Sequence, residues 1–335
     1  MLLAVETSFD DTGLALLDDS CRTVFAALSS SVELHAPYGG VVPELAARAH
    51  LTNLPAMMNE LRRMHPQELA KVSAVGVTRG PGLPGCLLAG ISFARGAAMA
   101  LGADLYGLSH LEGHAYTPFF GKAPAEIPFP LLALVISGGN TVLYEIPRFG
   151  EMRVLGETVD DAAGELFDKL SQKLGYGYPG GARLEKLARE YGARPISREL
   201  ALPVPMRDSG DLNFSFSGLK TAAARKIDAL RKSRAGFDQE FAASLMRSVW
   251  DSVWLKVHAA AESTGIRDVS VSGGVAANAL FRDYMRARTD GAGLRAHFPE
   301  PRLAMDNAEM MASLLWLMRQ LYLHPVPFDA EPGLV

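Results

Sequence analysis

Two histidines four residues apart, in His110-Leu111-Glu112-Gly113-His114, carry the clearest chemistry in this chain. On a helix, positions i and i+4 share a face, so both imidazoles would point toward one metal ion. The segment is not His-Glu-x-x-His, because Glu112 lies two residues after the first histidine, so a metalloprotease arrangement does not follow. Two protein ligands rarely hold an ion tightly, and a third is expected from elsewhere in the chain. A second chemistry is suggested by turns of small and hydroxyl residues after hydrophobic runs. Leu2–Val5 leads into Glu6-Thr7-Ser8-Phe9-Asp10-Asp11-Thr12-Gly13, and Leu131–Ile136 leads into Ser137-Gly138-Gly139-Asn140. Such turns let a phosphate approach the backbone, although a single one would do no more than reverse the chain.

A third group of residues is acidic. In Gly156–Lys169, Asp161, Glu165 and Asp168 fall at i, i+4 and i+7, one face of a helix expected over 161–174. Asp160 and Asp161 fit the plainer role of acids in a first helical turn. Asp168 lies too far along for that and is a candidate for ribose hydroxyls. Past Phe214–Thr221, a basic helix gathers Lys220, Arg225, Lys226, Arg231, Lys232 and Arg234. It reads either as a solvated face or as a contact for a phosphate backbone.

The elements that must position these residues come in matched pairs. Val72–Val77 is followed by Arg79-Gly80-Pro81-Gly82-Leu83-Pro84-Gly85 and a helix over 87–101. Val269–Val271 is followed by Ser272-Gly273-Gly274-Val275-Ala276-Ala277-Asn278 and another helix. Strand, glycine turn and helix bring helix N-terminal amides to an anion. With the paired strand turns, this predicts an internally duplicated α/β protein with a nucleotide cleft. Helices are expected over 44–64, kinked or split at Pro55, with Leu45, Leu51, Leu54, Met57, Met58 and Leu61 as the apolar stripe. Others are expected over 219–234, 237–264 and 308–323, and 122–130, with three prolines, is the linker candidate.

The bulk numbers bound this reading. A chain of 335 residues can hold two domains, and 48% hydrophobic with 21% charged residues is ordinary globular composition. Thirty-three basic against 37 acidic side chains leave a net charge of −4, so no overall basic field marks a nucleic-acid binder. Two cysteines, Cys21 and Cys86, make neither a disulfide framework nor a cysteine zinc site. Apolar runs such as Leu131–Ile136 are too short to span a bilayer, no leader is visible, and a cytoplasmic protein with no membrane partner is expected.

Taken together, the segments closely resemble the TsaD family, which makes threonylcarbamoyladenosine in tRNA. The matching strings are Glu6–Thr12, His35–Glu44, Arg79–Leu83, His110–His114, Asp160–Lys169, Tyr178–Gly181, Phe214–Thr221, Ser272–Asn278 and Met305-Asp306-Asn307, in family order over nearly the whole chain. The resemblance implies a duplicated actin-like, Hsp70-like and sugar-kinase-like (ASKHA) α/β fold, with subdomains over 1–126 and 127–300. The segment 301–335 would pack back on the first half. It implies transfer of a threonylcarbamoyl group from threonylcarbamoyl-AMP to N6 of adenosine 37 in tRNAs that read codons beginning with A. It also implies a paralogous TsaB partner and a TsaE ATPase.

Carried over by motif, His110, His114 and Asp306 would bind one divalent ion, Fe2+ or Zn2+, with Mg2+ accompanying a bound nucleotide. Asp10 would serve the reaction. Val135, Ile136, Ser137, Gly138, Gly139, Asp168, Gly181, Glu185 and Asn278 would contact the adenylate. Three positions depart from the family pattern: Asn140 where His is common, Phe9 for Cys and Met305 for Thr. The rival readings are an ATPase or small-molecule kinase of the same fold class, a metalloprotease, and an inactive scaffold subunit. Phosphoryl transfer uses magnesium held by oxygens, which the histidine pair does not suit.

Overall fold

A computed structural model describes residues 1–334. The chain forms two compact units, Met1–Pro128 with Met305–Val335, and Phe129–Ala304. The first crossing falls within the proline-rich stretch 122–130.

The first unit is built on a sheet of order β3-β2-β1-β4-β5. Its strands are β1 (Leu2–Glu6), β2 (Thr12–Leu17), β3 (Thr23–Ser29), β4 (Ala74–Gly80) and β5 (Asp104–Ser109), and β1 and β2 are buried at every position. Strands β1, β2 and β3 run antiparallel, while β4 and β5 join β1 in parallel. Between β3 and β4 lie the short α1 (Val32–His35), the long α2 (Pro43–Met64) and the short α3 (Pro66–Leu69). Helix α2 is continuous through Pro55, so the helix is not split there. Pro55 is exposed, and so is Leu51, whose carbonyl loses its helical partner to the missing N–H, so water can take that partner's place. The buried stripe is Ala46, His50, Leu54, Met57 and Leu61, whereas Leu51 is 63% exposed.

Helix α4 (Pro84–Leu101) follows β4 and packs on β4, β5 and α2. With 18 residues and mean hydropathy 1.3, it is the one helix among the described residues long and apolar enough to cross a membrane by composition. Helix α5 (His110–Tyr116) then closes this part of the unit.

The second unit repeats the topology. Its sheet has the order β10-β9-β6-β7-β8, made of β6 (Leu131–Ile136), β7 (Thr141–Arg148), β8 (Glu151–Glu157), β9 (Asp268–Ser272) and β10 (Arg295–His297). Three antiparallel strands are again continued by two parallel ones. Helices α6 (Ala163–Leu174), α7 (Gly180–Tyr191), α8 (Ser217–Ser233) and α9 (Asp238–Thr264) are inserted between β8 and β9, and α10 (Ala279–Gly291) lies between β9 and β10. Leu132, Leu134 and Ile136 share one apolar core with Phe241, Leu245 and Val249 of α9.

Helix α6 begins at Ala163, so Asp161 precedes the face it was expected to head. The reason is tertiary: the Ala163 amide donates to the Thr141 hydroxyl, and the Thr158 hydroxyl donates to the Asp161 carbonyl. The last helix, α11 (Ala308–Gln320), belongs to the first unit and packs on β1, β2 and α5. It ends at Gln320, three residues before the expected Leu323.

Candidate functional site

Helix α5 carries the histidine pair, and its start is set by Ser109, whose hydroxyl accepts the Glu112 amide at 3.3 Å. The segment is helical, so His110 and His114 share a face, with ring centroids 4.6 Å apart. Gly113 lies on the side facing α11, where a Cβ would stand 2.7 Å from the Met311 sulfur. That close approach brings Asp306, at the head of α11, to the histidines. Asn307 caps α11 by accepting the Met310 amide at 2.8 Å and fixes where the turn before it points.

The result is a convergent donor set. Asp306 Oδ1 stands 3.0 Å from His114 Nε2 and 3.5 Å from His110 Nε2. One donor atom from each residue lies within 4.8 Å of the others. Both imidazoles are buried, and the carboxylate is partly open. Burial disfavours the His110 imidazolium, but the Glu6 and Asp306 carboxylates outweigh it and push its pKa up to about 9. Burial likewise disfavours an ionised Asp306, yet the two histidines hold it down at about 2. For His114 burial prevails and its pKa falls. Two imidazoles and one carboxylate suit a zinc or iron ion rather than magnesium, so the residues present fit a resident metal.

Around this cluster lie residues the motif reading passed over. Glu112, between the histidines, is driven up to about 7 by burial, against the pull of Arg79. Glu6 ends β1 at 1% exposure and faces His110 Nδ1 at 3.2 Å. The signal in the sequence was a lone carboxylate closing a wholly apolar strand. Asp10 is buried in the same loop, near enough to Cys86 for its charge to add to burial in raising that thiol to about 12. Phe9 and Met305 are exposed side chains; the Phe9 carbonyl accepts from His50 Nε2 at 3.0 Å.

The turn Arg79–Gly85 is not an open anion cradle. Residues of the chain's own C-terminal segment occupy it: the Glu331 amide donates to the Arg79 carbonyl at 2.7 Å, and the Gly82 amide to the Pro332 carbonyl at 3.2 Å. Arg79 also pairs with the Glu331 carboxylate at 2.7 Å, and a Cβ at Gly80 would lie 1.9 Å from the Glu331 carbonyl oxygen. Here the glycines are required by packing.

The residues expected to meet the adenylate all lie in the second unit. Val135 and Ile136 have fully buried side chains, so only their backbone could face a ligand. Ser137 and Asn140 close a tight turn, the Ser137 amide donating to the Asn140 carbonyl at 2.7 Å and the Asn140 amide to the Ser137 hydroxyl at 3.1 Å. Gly138, Gly139 and Gly181 face open space: among the described residues no atom lies within 4 Å of where a Cβ would stand. Gly164 and Gly273 are the opposite: a Cβ would lie 2.6 Å from the Ser137 carbonyl oxygen and 2.4 Å from that of Ile136, and Gly273 adopts φ +99°.

The polar members of the set already have partners. Asp168 accepts the Gly180 amide at 2.6 Å, Glu185 pairs with Arg189 and accepts the Ala279 amide, and Asn278 caps α10 through the Phe281 amide. Asp160 does not head its own helix; it accepts the Phe216 and Ser217 amides and both adjacent serine hydroxyls, capping α8 from 56 residues away. Those bonds overcome burial and hold it at about 2. The basic helix α8 is largely engaged as well. Lys220 pairs with Asp161, Lys226 donates to the Glu199 and Ala201 carbonyls, Arg231 to the Lys173 carbonyl, and Arg234 pairs with Glu240 and Glu199. Arg225 and Lys232 are exposed.

Comparison with known proteins places this arrangement. A family model described as tRNA N6-adenosine threonylcarbamoyltransferase (TsaD) matches residues 23–313. A tRNA N6-adenosine threonylcarbamoyltransferase of Pelobacter propionicus is 44% identical over 313 residues, covering 93% of this chain and 90% of the relative. One of Symbiobacterium thermophilum is 40% identical over 336 residues, covering 100% and 96%. Among solved structures, HypF of T. kodakarensis aligns with TM-score 0.61 at 13% identity over 96% of this chain and 48% of its own. Component A of the Acidaminococcus fermentans (R)-2-hydroxyglutaryl-CoA dehydratase aligns with TM-score 0.52 at 16% identity over 95% and 97%. The structural matches establish the actin-like α/β fold. By the sequence matches, this chain belongs to the TsaD family, transferases that place a threonylcarbamoyl group on N6 of an adenosine in tRNA.

Proposed function

We propose that the chain takes the threonylcarbamoyl group from threonylcarbamoyl-AMP and delivers it to N6 of adenosine 37 in tRNAs reading codons that begin with A. The observation that carries this reading is the convergence of His110, His114 and Asp306, buried donors contributed by α5 and the head of α11 in a chain of this family. These three residues would hold an Fe2+ or Zn2+ ion. Bound there, the ion would supply Lewis-acid polarisation of a carbonyl oxygen. Mg2+ belongs only with a bound nucleotide, since two imidazoles favour a softer ion.

In the reaction, the bond from N6 to the carbamoyl carbon forms and the bond from that carbon to the phosphate oxygen breaks. AMP leaves, and one proton leaves N6. The donor is already activated, so no serine or cysteine nucleophile is required; the demand is on positioning a weakly nucleophilic amine and on charge stabilisation. Asp10, a buried carboxylate in the loop after β1, is the candidate for the departing proton. The open glycines Gly138, Gly139 and Gly181 would admit the adenylate, with the backbone of Val135–Ser137 beside them. Asp168 would meet the ribose through oxygen capacity beyond its bond to Gly180, and Glu185 and Asn278 would shape the edge. A TsaB paralogue and a TsaE ATPase are the expected partners, in the cytoplasm.

The decisive experiment is mass spectrometry of tRNA nucleosides after incubation with threonylcarbamoyl-AMP, with and without those partners. Appearance of threonylcarbamoyladenosine that vanishes on omitting this chain supports the proposal. Its formation at the same rate without the chain refutes it.

A further inference from the structure

Glu6 stands where an apolar residue would complete β1, and it is 1% exposed. Burying a carboxylate is costly unless each oxygen is met by a donor. Here each is. Oε1 accepts the Ser8 amide at 2.6 Å; Oε2 accepts the Thr78 hydroxyl from β4 and faces His110 Nδ1 at 3.2 Å. The Ser8 and Thr78 bonds come from fixed elements, the turn after β1 and the strand paired with it, so they aim Oε2 at the imidazole. On its other side the same ring presents Nε2 toward Asp306, 3.5 Å from Oδ1. An imidazole that donates Nδ1–H to a carboxylate keeps the Nε2 lone pair for an ion and cannot rotate away from it. Ser8 Oγ also lies 3.2 Å from Nδ1, but a neutral hydroxyl can donate or accept and does not select one tautomer.

We propose that Glu6 is a positioning residue of the metal centre, holding His110 in the Nδ1–H form with Nε2 turned toward His114 and Asp306. This rests on the metal reading of the site given above. The juxtaposition comes from the first unit alone: β1 supplies the carboxylate, α5 the imidazole and α11 the opposing ligand.

The test uses the full chain, stripped of metal and titrated with Zn2+ against a competing chelator. Glu6→Gln keeps the side chain's volume and one oxygen for the Ser8 amide, puts an NH2 group where Oε2 met Thr78 and His110, and removes the charge. Zn2+ affinity is expected to fall about 10- to 100-fold, with the thermal unfolding transition retained, whereas Ser8→Ala should change it less than about threefold. Unchanged affinity in a folded Glu6→Gln variant overturns the inference while leaving the metal site standing. A wild-type chain that binds no Zn2+ overturns the metal reading and this inference with it. Should Glu6→Gln fail to fold, long-range 1H–15N spectra of the Zn2+-loaded wild-type chain decide. A proton on His110 Nδ1 with a zinc-shifted Nε2 supports the proposal, and the reverse assignment overturns it.

Discussion

The turn Glu6–Asp11 after β1 and the turn Ser137–Asn140 after β6 occupy equivalent places in two copies of one topology, and they are built in opposite ways. The first is packed with buried polar groups: Glu6, Ser8 and Asp10 are each under 9% exposed, and Glu6 and Ser8 reach His110. The second is short and presents two glycines to open space. The turns after the equivalent strands β4 and β9 differ too. Arg79–Gly82 is filled by Glu331 and Pro332, while in Gly273–Asn278 the second glycine, Gly274, meets nothing within 4 Å. The two copies of the scaffold thus differ: one turn is filled with hydrogen-bonded side chains, and the other leaves bare backbone, which the proposed reading would assign to a ligand. Rigid donors need supporting bonds, and a phosphate needs the absence of side chains, so one turn can hardly do both.

The sharpest way to break this comparison is to remove a donor. His110→Ala leaves two ligands and should cut transfer activity at least about 100-fold with loss of bound metal, the fold remaining intact. Elemental analysis showing full occupancy in that variant would show that the first unit's side chains are not the metal's anchor. In the second unit the equivalent attack is bulk at an open glycine. Gly139→Leu should leave stability within about 0.5 kcal/mol and weaken adenine-nucleotide binding at least about 10-fold. Calorimetry finding native affinity would place the nucleotide elsewhere. Gly164→Ala makes the contrast, since its Cβ would strike the Ser137 backbone and cost about 1–3 kcal/mol in a denaturant melt.

Asp160 sharpens the comparison further, because its carboxylate caps α8 rather than heading its own helix. Asp160→Ala should cost about 1 kcal/mol through loss of the α8 cap. Its pKa is depressed on folding, so the stabilisation is fully present above the unfolded value near 4 and is lost as pH falls toward about 2. Wild type and variant should therefore converge in stability at the acid end, as a pH series of urea melts would register. The smallest effect is expected on α8's basic face. Arg231 already donates to the Lys173 carbonyl, so the double variant Arg231→Ala/Lys232→Ala should make the salt dependence of tRNA binding shallower by about one unit of slope or less. A salt titration showing a change of several units would make this helix a principal tRNA surface.

Period and spacing were enough to find the strands beside the glycine turns, the paired turns, the histidine pair and most helices, because those signals are local; the edge strands β3, β5, β8 and β10 went unread. Helix ends were missed where a distant group set them. Asp160 caps a helix 56 residues on, α6 begins at Ala163 because its amide is taken by the Thr141 hydroxyl, and α2 runs on through an exposed Pro55. The glycine turns looked alike as letters. Whether a glycine is needed for packing or left open depends on what stands opposite its Cα, and at Gly80 that is residue 331. Glu6 gave only a faint sign, one charge at the end of an apolar strand, because its partners come from β4, the following turn and α5. The sequence alone determined the family, the duplicated α/β plan and which residue types were available for chemistry. Only the tertiary structure decided which carboxylate backs a histidine, which cap helices and which turns stay open, since burial and hydrogen-bond partners are set by residues far apart in the chain.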